Sequence, residues 1–154
     1  LYSSYVYLAM AAHFEGMNLE GFANWMRHQA QEEVEHAMRF FTHINRRGGR
    51  VVLKAIGEPP EDFGSPLEAF QKALAHEQHI TGTINALYEL AVEEKDYPAQ
   101  IELQWFIDEQ VEEEESAGGV LEQLRLVKED KSGLFMIDRE LLKRAAPSEI
   151  AGVA

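Results

Sequence analysis

Between Leu19 and Arg47 the chain reads LEGFANWMRHQAQEEVEHAMRFFTHINRR. Steps of three and four residues pick out Leu19, Ala23, Met26, Ala30, Glu33, Ala37, Phe40 and Ile44, an apolar stripe interrupted by one carboxylate. That spacing is the buried seam of a bundled helix, because such positions recur on one face. Two later blocks repeat the pattern. One carries Leu67, Phe70, Leu74, Glu77, Thr81, Ile84, Tyr88 and Ala91; the other carries Ala99, Leu103, Phe106, Gln110, Glu113, Ala117, Val120, Leu124 and Val127. Each of the three seams places a glutamate about halfway along.

A bare carboxylate in a helical core costs several kcal/mol unless it meets a cation or takes up a proton. Three at similar depth would repel one another, and no Lys or Arg stands on these stripes. A bound metal is the economical solution, since glutamates with an imidazole suit iron, manganese or zinc. His36 follows Glu33 by one helical turn, so the two side chains share a face and can hold one ion. Alone, Glu-x-x-His is a weak pattern; on a seam with two more acids it points to a metal centre. His13, His28, His43, His76 and His79 have no such setting and read as surface or packing residues.

Within Glu112-Glu113-Glu114-Glu115 only Glu113 falls on the seam, so Glu114 and Glu115 are expected to face outward. Glu32, Glu109 and Glu112 flank the seams; they form either a second, more exposed metal site or ordinary acidic surface. Tyr7 is either a core aromatic or a phenol beside the metal.

Punctuation marks the helix ends. Glu15-Gly16-Met17-Asn18 closes a first block, with Asn18 as the expected N-cap of the second. Gly48-Gly49 stops that block near Arg47. Ser65-Pro66-Leu67-Glu68 is a capping box with proline at the first helical position, opening a third block that runs to about Glu94. Asp96-Tyr97-Pro98 separates it from a fourth, which ends near Val127. A short amphipathic helix is expected over Leu134–Arg144, and a frayed tail from Ala145 to Ala154. Only Val51–Leu53 resembles a strand. The link from Gly48 to Ser65 can stretch ~59 Å at about 3.3 Å per residue. The second helix spans roughly 43 Å, so the link can run the length of a bundle. The expected fold is all-α: four long helices ordered up-up-down-down around one long crossover, plus a short fifth helix.

The 154 residues suit one domain, expected over Leu1–Arg144, and 45% hydrophobic content is enough for a core. Fourteen Lys and Arg against 27 Asp and Glu give a formal charge of −13, which disfavours nucleic acid and anionic membranes and favours cations. Without cysteine there is neither disulfide nor thiolate chemistry, and a cytoplasmic setting is expected. The apolar opening Leu1–Ala12 reads as a helix whose start lies upstream rather than as a signal peptide. No other apolar run approaches the ~20 residues of a membrane span.

The stretches Gln29-Ala30-Gln31-Glu32-Glu33-Val34-Glu35-His36, Ala75-His76-Glu77-Gln78 and Gln104-Trp105-Phe106-Ile107-Asp108-Glu109-Gln110-Val111-Glu112-Glu113-Glu114 resemble prokaryotic non-haem ferritins. Leu1-Tyr2-Ser3-Ser4 and the Tyr97-Pro98 junction share the likeness, which covers Leu1 to about Leu142. The resemblance implies a diiron centre in which Glu33 bridges two irons, His36 completes the first site, and Glu77 and Glu113 hold the second. It places Gln110 as a hydrogen-bonding neighbour and Tyr7 as the tyrosine beside the centre. Glu32, Glu109 and Glu112, with Glu113, match a third iron site. The implied activity is oxidation of Fe(II) by O2 or H2O2, then storage of ferric mineral in a homo-oligomeric hollow cage, commonly of about 24 subunits.

The family's first-helix glutamate falls just before Leu1, and its absence from this numbering is expected to reflect truncation. Ser116 stands where bacterioferritins and rubrerythrin-like proteins carry a second histidine, and Val34 where bacterioferritins place a haem-ligating methionine. No haem is therefore expected. Two other functions stay open at this point: a catalytically weak subunit that supports assembly and mineral nucleation, and a diiron peroxide scavenger that stores nothing.

Overall fold

The computed structural model describes residues 1–128 and 130–144; the expected tail from Ala145 onward lies outside the described residues. There are five helices: α1 Tyr2–Gly16, α2 Glu20–Arg46, α3 Pro66–Glu93, α4 Tyr97–Val127 and α5 Lys131–Leu141. No strand occurs among the described residues. Val51–Leu53 is irregular chain with Val52 and Leu53 exposed, so the apolar triplet that suggested a strand has no ladder to join. None of the described helices is long and apolar enough to cross a membrane. The helices fall into two compact units, α1 with α2 and α5, and α3 with α4.

In the first unit α1 and α2 form an antiparallel hairpin. Residue numbers rise along one helix as they fall along the other. The Ser4 hydroxyl donates to the Ala30 carbonyl at 2.7 Å, Tyr7 meets Trp25 edge-on, and Phe14 stacks on Phe22 with centroids 5.2 Å apart. Fully burying rings such as Phe14 and Phe22 is worth roughly 1.5–3 kcal/mol each. Arg27 on α2 pairs with Glu15 near the end of α1.

The turn between them departs from expectation. Asn18 is not the cap of α2: it adopts φ +58°, a left-handed turn position that asparagine tolerates. The cap residue is Leu19, whose side chain accepts nothing. The start of α2 is satisfied from the far end of the chain, where buried Asp138 on α5 accepts from the backbone amides of Gly21 and Phe22 at 2.8 and 3.1 Å. The approach is so close that a Cβ on Gly21 would lie 1.6 Å from the Asp138 carbonyl oxygen. Asn24 adds its side-chain amide to the carbonyls of Leu141 and Arg144, at 3.1 and 3.3 Å. Helix α5 itself starts three residues before the expected Leu134, because the Asp130 carboxylate caps the amides of Ser132 and Gly133. It ends at Leu141 rather than at Arg144.

The crossover runs along α1. Gly57 lies beside Tyr2 at one end, and buried Phe63 meets the His13 ring edge-on at the other, with centroids 5.7 Å apart. Thus the link spans a helix length, as its reach allowed. Gly64 then turns the chain with φ +78°.

The second unit is the α3–α4 hairpin. Ser65 forms the expected capping box, donating its amide to Glu68 and accepting from the Glu68 amide. Asp96 caps α4 through the Ala99 amide at 3.1 Å. Along α4 the predicted seam is the buried one: Leu103, Phe106, Gln110, Glu113, Ala117, Val120 and Leu124 are all buried. The seam of α2 fades towards its end, where Ile44 is exposed.

Replacing Asp138 by alanine is expected to destabilise the first unit by about 1–2 kcal/mol, the size of a lost helix cap. Amide exchange at Gly21 and Phe22 should accelerate with it, and unchanged exchange there would reject the cap. Gly21→Ala should cost more, because backbone rather than a movable side chain stands in the way.

Candidate functional site

On α2, Glu33 and His36 sit one turn apart and both are buried, at 7% and 9% exposure. His36 Nδ1 lies 4.0 Å from Glu33 Oε1. That is too long for a hydrogen bond. It is short enough for both atoms to bind one ion at metal–ligand distances of about 2.0–2.2 Å. The helix repeat alone produces this pairing.

Glu32, next in sequence, is half-buried and engaged differently. Its Oε2 accepts from Arg144 Nη2 at 2.8 Å. The same guanidinium stands 5.0 Å above the Trp25 ring, and Trp25 in turn meets the fully buried Tyr7 edge-on at 6.3 Å. Of the two readings of Tyr7, packing is therefore observed directly.

On the α3–α4 hairpin, Glu77 is fully buried, and Gln110 and Glu113 nearly so, at 3% and 5% exposure. Gln110 Nε2 donates to Glu77 at two atoms, its carbonyl at 3.2 Å and its carboxylate at 3.3 Å, and also lies 3.3 Å from the Thr81 hydroxyl, which accepts. A buried carboxylate thus faces an amide donor that carries no charge. The Thr81 hydroxyl in turn donates a hydrogen bond to Glu114 Oε1 at 2.6 Å. Glu114 is consequently half-buried and partnered rather than fully outward as expected, while Glu115 is exposed. Glu109 is half-buried and Glu112 exposed.

The expected surface or packing histidines behave so. His13 packs edge-on against Phe14 and Phe63, His28 bonds the Asn24 side chain, and His43 and His79 are half-buried and exposed. Burial holds the His76 imidazole below its ordinary 6.5, with Glu77 pulling it up and His79 pushing it further down.

Within each unit, then, the structure pairs Glu33 with His36, and Glu77 with Gln110. Sequence reasoning missed Arg144 and Thr81. Thr81 stood on a seam as a polar interruption, a signal that was available. Arg144 is 112 residues from Glu32, and no local spacing could connect them.

The chain is similar to known proteins in sequence and in fold. The ferritin family profile, described as a ferritin-like domain, matches residues 1–127. The chain is 38% identical over 144 residues to a bacterial non-heme ferritin of Bacteroides fragilis (strain 638R), covering 94% of this chain and 89% of that protein. To a bacterial non-heme ferritin of Staphylococcus aureus (strain USA300) it is 36% identical over 148 residues, covering 96% and 89%. Among solved structures, an open pore ferritin from the hyperthermophilic archaeon Archaeoglobus fulgidus is similar at a TM-score of 0.93, with 49% identity over 94% of this chain and 89% of that one. The ferritin-like fold class expected from the sequence is borne out.

Gln110→Leu removes the donor that faces the Glu77 carboxylate at nearly constant volume. Metal-free protein carrying it should lose about 1–3 kcal/mol in denaturant unfolding, the cost of stripping a partner from a buried acceptor. An unchanged unfolding midpoint would mean that this contact contributes nothing.

Proposed function

Because the chain belongs to the ferritin family, carrying its ferritin-like domain across residues 1–127, we propose that it is an iron-storing ferroxidase. In this reading it takes up Fe(II), oxidises it to Fe(III), and retains the product as mineral within a homo-oligomeric cage. Iron is substrate and cargo here. Glu33 bridges two ferrous ions, His36 completes the first site, and Glu77 and Glu113 bind the second. Glu32, Glu109 and Glu112, with Glu113, bind a third ion more weakly. The ferritin-like domain is taken to run from Leu1 to Arg144.

One observation carries the reading. Glu33, Glu77 and Glu113 are buried at 7%, 0% and 5% exposure on helices whose seams carry no lysine or arginine. Buried negative charge of this kind is costly in the absence of a cation. The donor set fits iron: hard carboxylate oxygens favour the higher charge of the ferric state, and one imidazole is compatible with both oxidation states. Two Fe(II) ions give up one electron each, so together with two protons they reduce one O2 to H2O2. Gln110 holds the Glu77 carboxylate in a fixed orientation through its Nε2. Tyr7, locked against Trp25, adds a rigid aromatic wall in its own unit. The net charge of −13 draws cations towards the protein.

Assembly is supported by exposed apolar side chains on α5, where Phe135 and Met136 are 63% and 71% exposed. Apolar surface of this sort marks contact with other chains. The acidic, cysteine-free composition is compatible with a cytoplasmic iron store.

Glu33→Ala and His36→Ala are expected to slow the initial rate of Fe(II) oxidation by orders of magnitude while leaving helical content intact. Stopped-flow absorbance after mixing with Fe(II) in air measures the rate, and unchanged rates in both variants would remove these residues from the centre. Glu77→Gln separates the roles further. It should raise the melting temperature of metal-free protein while weakening iron binding, as expected where stability is sacrificed to function.

A further inference from the structure

Arg144 is restrained from several sides. Its Nη2 donates to Glu32 Oε2 at 2.8 Å, its guanidinium lies 5.0 Å over the Trp25 ring, and its carbonyl accepts from Asn24 at 3.3 Å. The helix that leads to it is fixed by Asp138 on the amides of Gly21 and Phe22. The side chains of Arg144 and Glu32 are only 25% and 22% exposed. The pair is thus better shielded from solvent than an ordinary surface ion pair, and a guanidinium held over an indole gains a second attraction.

We propose that Arg144 is an internal counter-ion that competes with metal for Glu32 and so keeps the third iron site weak. This rests on the reading of Glu32 as a ligand of that site. One oxygen of Glu32 is committed to the guanidinium, and the positive charge beside it lowers the attraction of Glu32 for another cation. An ion arriving there must displace Arg144 or share the carboxylate with it, and is held less tightly in either case. Weak retention suits a station through which iron passes, whereas a cluster of unopposed acids would hold the ion. Arg144 is a positioning residue in this scheme: it acts on iron only through Glu32.

The test is a titration of the full-length, iron-free protein with Mn2+, a redox-inert divalent probe, with free Mn2+ counted by electron paramagnetic resonance. Arg144→Gln is expected to tighten one class of sites by roughly three- to tenfold, the range for losing one partly shielded charge. Arg144→Lys, which keeps the charge, should bind close to the parent protein. The gain should vanish in the double variant Arg144→Gln with Glu32→Gln. If Arg144→Gln leaves every affinity unchanged or weakens it, while Glu32→Gln alone abolishes a site, the competition is overturned and Glu32 remains a ligand. If Glu32→Gln abolishes no site in either background, the ligand reading fails and the proposal fails with it. A purely structural role for Arg144 predicts a lower melting temperature without tighter Mn2+ binding.

Discussion

A carboxylate on the apolar side of a helix must find positive charge or a proton, and the protein places one on each of three seams. Glu33, Glu77 and Glu113 are buried, and their polar neighbours include an imidazole one turn from Glu33 and a neutral amide on Glu77. Neither supplies a fixed full positive charge. The rest of the architecture serves this constraint. Seams rich in Ala, Phe and Leu exclude water and lower the local dielectric, which strengthens the attraction of these acids for a metal ion as much as it raises the cost of leaving them alone. The chain belongs to the ferritin family, and its curated relatives are named non-heme ferritins.

The other acids meet a different fate. Where Glu33 faces a core, Glu32 faces a guanidinium, and Glu114 accepts a hydrogen bond from a threonine hydroxyl. Adjacent glutamates in one sequence run therefore perform separate tasks, decided by what each helix face meets. Helix α5 contributes most to that division in the first unit. Asp138 satisfies the first amides of α2, Asn24 grips the end of α5 in return, and Arg144 reaches Glu32 from there. A short terminal helix is thereby tied by hydrogen bonds both to the start of α2 and to an acid beside the candidate ligands.

Features that depend on near neighbours were legible in the sequence. The capping box at Ser65, the break at Asp96-Tyr97-Pro98, the length of the crossover and the buried seam of α4 all follow from contacts between residues a few positions apart, or from chain reach. The glutamates were legible for the same reason, since a charge stands out against an apolar period. Features made by distant partners were not. Asn18 has the chemistry of a cap, but Asp138 provides a better-placed oxygen from 117 residues away, and the turn needs Asn18 in a left-handed conformation instead. Val51–Leu53 has strand-like composition, yet a strand exists only with a partner, and the crossover offers none among the described residues. The Arg144–Glu32 pair has no trace in local spacing at all.

The tie between Gly21 and Asp138 also sets an order of events. Both residues belong to one compact unit, but the α3–α4 hairpin is encoded between them. A ribosome adding ~5–20 residues each second needs roughly 6–23 s to pass from one to the other. During that interval α2 exists without its cap, and the hairpin inserted in the middle is made first. Closure of the first unit therefore waits for Asp138, so a chain released before it lacks the aspartate that fastens the start of α2.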